Sequence, residues 1–150
     1  MIENNYSLVY VADYEKSYWR VRHFPLKGKE DVKSFMKEEV RGPFGKSSWI
    51  HPELEAENID TYTNSDWHCL NLVPSVKTVK NGKEMQITGN ILFLRNRGDN
   101  PEGLTVDDIS RIVSNYYPEI TEIHANLCYR DLEGKTPENK QLIEIKKDYI

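Results

Sequence analysis

A chain of 150 residues, 38% hydrophobic and 29% charged, has enough apolar material for one folded core without disulfides or a structural metal. Its net charge of −4 sets aside bulk attraction to nucleic acid and leaves a local basic patch as the route to phosphate. Two cysteines, Cys69 and Cys128, make no disulfide framework. No apolar run approaches the roughly 20 residues that span a bilayer, and Met1 to Asn5 lack a signal-peptide pattern. A single globular domain over 1–150, cytoplasmic and without membrane contact, is therefore expected. Plentiful Asn, Ile, Lys and Tyr beside sparse Arg and Ala suit an AT-rich genome, that of a low-GC bacterium or its phage.

In chain order, residues 6–13 alternate as a strand, and Asp13 to Ser17 is a polar turn. Residues 18–24 form the return strand, with Trp19, Val21 and His23 on one face. Tyr18, Arg20, Arg22 and Phe24 take the other. Val32, Phe35, Met36 and Val40 predict an amphipathic helix over 29–40, stopped by Gly42-Pro43, with Glu38-Glu39 on its solvated face. Residues 41–66 carry little periodicity and read as a long irregular loop, with room for a short helix at 52–58. A strand follows at 67–73, limited by Pro74. Asn81-Gly82 is a type I′ turn signal between Val76–Lys80 and Lys83–Thr88. Gly89 marks a bulge before a buried strand at Ile91–Leu94, and residues 99–103 are a turn cluster. Thr105 caps a helix, Asp108 completes its capping box, and Pro118 ends it. Residues 120–130 alternate as a strand, while 140–147 suits either strand or helix. Together these elements predict an α+β fold, a mainly antiparallel β-sheet of hairpins packed by two amphipathic helices.

Gly45-Lys46-Ser47 copies the end of a phosphate-binding loop. However, Val40 stands where the first glycine belongs, and a helix precedes the segment where a strand should. His68, Cys69, His124 and Cys128 are zinc-binding types, but on a strand positions 124 and 128 lie about 13 Å apart. No nucleophile has a base beside it in a known spacing. Catalytic residues, metal and cofactor are accordingly expected to be none.

Two surfaces stand out. Tyr18, Arg20, Arg22 and Phe24 share a strand face, and Arg95 and Arg97 repeat the Arg-x-Arg spacing. Were those strands adjacent, four guanidiniums would face one phosphate or carboxylate surface with rings to stack on. An ordinary solvated sheet face is the alternative; on the binding reading, replacing Arg20 and Arg22 with Glu would leave thermal unfolding nearly unchanged while weakening the partner complex. The second surface is around the 41–66 loop, where Phe44, Trp49, Ile50, Tyr62 and Trp67 either fold back onto the core or present an interaction surface, with Phe44, Lys46 and Trp49 as the expected contacts. The sequence thus points to a non-enzymatic binding module. It would be a small phage or mobile-element inhibitor occupying a protein or protein–nucleic-acid complex, such as a host defence enzyme. The alternatives are a nucleotide or single-stranded nucleic-acid binder using the Arg/aromatic face, and a small enzyme with a dispersed site.

Overall fold

The apolar alternation of Tyr6–Val11 makes β1, a strand buried along its whole length at the centre of a mixed sheet. The computed structural model describes residues 6–13, 15–24, 28–47, 50–65, 74–80, 83–117, 120 and 123–126. β2 (Tyr18–His23) returns antiparallel to β1. The turn between them is tied by Asp13 Oδ1, which accepts from the backbone N–H groups of Glu15 and Lys16. On the other side of β1 lies β7 (Ile91–Arg97), also antiparallel. β4 (Ile59–Asn64) pairs with β7, and β3 (Phe44–Lys46) pairs with β4. β9 (Ile123–Asn126) joins β2 in parallel, so the order is β3-β4-β7-β1-β2-β9. β8 (Asn100–Glu102) folds back on the end of β7. β5 (Pro74–Lys80) and β6 (Lys83–Thr88) make a separate two-stranded sheet, with Lys80 opposite Lys83. The fold is α+β with a mostly antiparallel sheet, as expected from the sequence.

Among the described residues there are three helices, α1 (Lys29–Val40), α2 (Pro52–Glu55) and α3 (Val106–Asn115). The period of two along each strand assigns them to opposite faces. Leu8, Tyr10, Trp19 and Phe93 point to one face and pack with Leu54 of α2 and Ile109, Ile112 and Val113 of α3. Val9, Val11, Leu92 and Leu94 point to the other and pack with Met36 and Val40 of α1. Thr105 Oγ1 accepts from Asp108 N at 3.0 Å while Asp108 Oδ2 accepts from Thr105 N at 3.1 Å, the reciprocal capping box that the sequence predicts.

The 41–66 segment corrects the sequence reading: it is no irregular loop but two strands and a helix, and β4 is buried from end to end. Ile59-Asp60-Thr61-Tyr62-Thr63-Asn64 lacks hydrophobic alternation because its inward polar groups have partners. Thr61 Oγ1 donates to Ser47 O at 2.6 Å, and Thr63 Oγ1 shares a hydrogen bond with Ser47 Oγ at 2.8 Å. Asn64 Nδ2 donates to Arg41 O at 3.0 Å and Val40 O at 3.3 Å, holding the end of α1 to the sheet. The expected strand at 67–73, the Asn81-Gly82 turn, Pro118, the strand beyond 126 and the segment 140–147 lie outside the described residues.

That helix end is a Schellman turn. Gly42 N–H donates to Lys37 O and Arg41 N–H to Glu38 O, with Arg41 left-handed at φ 63°. Gly42 itself has φ 150°, and a Cβ there would lie 2.6 Å from Asn64 Nδ2. Gly42→Ala is therefore expected to displace the Asn64 clamp and destabilise by about 1–3 kcal/mol. Urea unfolding with no shift of midpoint would show that the clamp yields freely.

Candidate functional site

The stripe of α1 that faces the sheet begins with Lys29, Val32, Lys33 and Met36, spaced i, i+3, i+4, i+7. Only its later part is buried: Met36 is covered, Val32 is half-covered, and Lys29 and Lys33 are exposed. The first turns of α1 thus stand over a groove of about 790 Å³. Its floor is Phe44, Lys46 and Tyr62, and its far wall is the β7–β8 turn at Gly98 and Asp99 with the start of β8, Asn100 and Pro101. Phe44 and Lys46 lie on one side of β3 by strand alternation, facing α1. The Phe44 ring meets Tyr62 edge-on at 6.2 Å.

A polar network underlies this floor. Asp60 is buried beside Lys46, with Nζ–Oδ2 at 3.0 Å, and Asn96 Nδ2 also donates to that oxygen. Tyr62 OH donates to Asn96 Oδ1 at 2.9 Å. The hydrogen bond to Asp60 raises the Lys46 pKa above its ordinary value, holding the ammonium charged. Burial, then the Asp60 charge, pushes the Tyr62 hydroxyl up as well. Lys46 is thus committed to the protein, while Lys29 and Lys33 have no ion pair among the described residues.

The resemblance of Gly45-Lys46-Ser47 to a phosphate-binding loop has no counterpart in geometry. Gly45 and Lys46 are in β3, and Ser47 N–H donates to Thr61 O at 2.7 Å, so this backbone serves a ladder. Among the described residues no group of three His, Cys, Asp or Glu could hold a metal, and no helix is long and apolar enough to cross a membrane. His68, Cys69 and Cys128 lie outside those residues, as does Trp49.

The four-arginine surface is corrected by topology. β1 separates β2 from β7, and the register Arg20↔Val9↔Leu92 puts Arg20 on the face of Leu92. Arg95, like Phe93, is on the opposite face, where it forks onto Asp108 at 2.7 and 3.2 Å. Arg97 is 85% exposed, 3.7 Å from Glu102. Arg20 and Arg22 are not a free surface either. Both bond Glu39, which is fully buried, so the expectation of a solvated Glu38-Glu39 pair holds for Glu38 alone. Phe24 is buried against Phe35, and Tyr18 stacks on His124 at 4.2 Å.

Of the residues singled out in the sequence, the groove unites Phe44, Lys46 and Tyr62. It adds Lys29 and Lys33, for which two lysines one turn apart at a helix start were the available signal. A second cluster had none. His51 precedes α2, with Nδ1 3.6 Å from Glu53 Oε1 and Nε2 hydrogen-bonded to Tyr117 OH. Tyr117 takes the left-handed region at φ 54°, uncommon for a bulky residue. Burial lowers the His51 pKa below its ordinary 6.5, against the pull of Glu53. Burial and then Glu53 push Tyr116 up to about 12. The cluster can share a proton between ring nitrogen and phenol, and it packs on Phe93, Tyr10 and Trp19.

Compared with protein-family models, curated proteins and solved structures, the chain matches none.

Proposed function

We propose that this chain is a binding module whose working surface is the groove between the first turns of α1 and β3, and that it acts by occupying its partner there. One observation carries the reading. Lys29 and Lys33 have no ion pair among the described residues and lie one turn apart at the start of α1, where their mutual repulsion opposes them and the helix dipole opposes Lys29. Local rules are broken in this way where a site needs the charge. Glu30 and Asp31, in the same turn, do not line the groove. Its occupant is anionic and brings an apolar or ring-bearing part to Val32 and Phe44. A composition that suits an AT-rich genome favours a phage or mobile-element inhibitor that sequesters a host macromolecule such as a defence enzyme.

Two measurements test this. Lys29→Glu should stabilise the fold by about 0.5 kcal/mol, through the dipole and a new pair with Lys33. Lys29→Glu/Lys33→Glu should release a partner that the wild-type chain captures, with the melting temperature nearly unchanged. A partner retained at full strength by the double variant places the contact elsewhere.

A further inference from the structure

Resting on that reading, we infer that the groove takes a nucleotide unit, its phosphate between Lys29 and Lys33 and its base over Phe44. The groove has two chemically different parts. The α1 wall supplies Lys29 and Lys33, which have no ion pair among the described residues, whereas Lys46 is spent on Asp60. At the floor, Phe44 is half-buried and makes a T-shaped contact with Tyr62, and its exposed part is the aromatic surface available for stacking. On the far wall, Asn100 brings an exposed side-chain amide, which can match the donor–acceptor edge of a base. Glycines at 45 and 98 leave two places without side chains, where a flat ligand meets backbone.

The volume of about 790 Å³ falls in the range of small-molecule sites, roughly 300–1,000 Å³. An acidic peptide would suit a row of cations, but here the cations occupy one wall only. Asp99 on the opposite wall would repel a second carboxylate. A single phosphate on a flat ring satisfies both parts. It could come from a free nucleotide or from an exposed unit of a single strand.

Titration calorimetry on the whole chain distinguishes these. Mononucleotides (AMP, GMP, UMP) should bind, with adenosine and inorganic phosphate each at least tenfold weaker. Lys29→Glu/Lys33→Glu should weaken nucleotide at least tenfold at unchanged melting temperature. Phe44→Leu, which keeps most of the buried volume, should weaken nucleotide but not phosphate. A short single-stranded oligonucleotide binding tighter than the mononucleotides, with the same lysine dependence, identifies a strand as the source. Mononucleotides binding as tightly as the strand identify the free ligand. No nucleotide binding at millimolar concentration, phosphate binding as well as AMP, indifference to the lysine variant, or a Glu-rich peptide binding better than AMP would each overturn the inference. Should nucleotides fail while the lysine variant still releases a captured partner, the groove stands and only the nucleotide assignment falls.

Discussion

Glu39→Ala is expected to destabilise the protein by about 3 kcal/mol, lowering its melting temperature by roughly 10 °C. Glu39 has no exposed side-chain surface, and its carboxylate holds two guanidiniums at once, Arg20 at 2.6 Å and Arg22. Its backbone carbonyl accepts from Asn90 Nδ2 at 2.9 Å, and Asn90 Oδ1 accepts from Ala12 N, tying α1 to the end of β1. Removing the carboxylate leaves two partly covered cations on a sheet face; among the described residues Arg22 keeps the exposed Glu38 at 3.3 Å, and Arg20 keeps no ion pair. Reversing Arg20 and Arg22 to Glu should be at least as damaging, because it would bring four carboxylates together under α1. This is the opposite of the near-zero effect that the sequence reading expects of exposed arginines. Replacing all three members with apolar residues of similar volume should recover most of the loss, since a buried ion cluster seldom outdoes good hydrophobic packing. If Glu39→Ala melts within a degree or two of the wild type, the cluster is screened by water and contributes little.

The elements legible in the sequence are those whose periodicity and punctuation agree. β1, β2 and α1 have clear alternation or helical spacing. Thr105 with Asp108 gives α3 a start, and Asn81-Gly82 separates two strands that do pair. β4 was illegible because an interior strand is normally recognised by apolar residues, and this one buries Asp60, Thr61, Thr63 and Asn64 in side-chain hydrogen bonds and an ion pair. Once β4 is read as loop, β3 goes with it, and the groove has no floor. The arginines failed for a related reason. Strand alternation correctly placed Arg20 and Arg22 on one face, but which helix covers that face depends on long-range order that periodicity does not carry. The buried Glu39, one residue from the exposed Glu38, follows from the position of α1 over that face.

Asp108→Ala should cost about 2–3 kcal/mol at neutral pH, because one carboxylate serves three partners. It closes the capping box of α3 with Thr105, forks with Arg95 and accepts from Arg111 at 3.0 Å. Burial pushes its pKa up, but the hydrogen bonds from Arg95, Thr105 N–H and Arg111 outweigh this, and the folded-state value lies below the ordinary 3.8. The unfolded chain therefore takes up this proton first as pH falls. The stabilisation is complete above about pH 4 and is lost as pH drops through the folded-state value. Asp108→Asn should accordingly lie below the wild type at neutral pH and converge with it in strong acid. His51 acts in a separate window. Its folded-state pKa is below 6.5, so the unfolded state again binds the proton first, and stability declines as pH falls from about 6.5 toward that lower value. His51→Gln should flatten this upper limb and leave the lower one, whereas Asp108→Asn should do the reverse. Urea unfolding from pH 3 to 8 reads both. A wild-type curve flat from pH 7 to 5 would mean that His51 is as accessible to protons folded as unfolded. An Asp108→Asn curve parallel to the wild type below pH 4 would remove the arginine fork as the source of the acid limb.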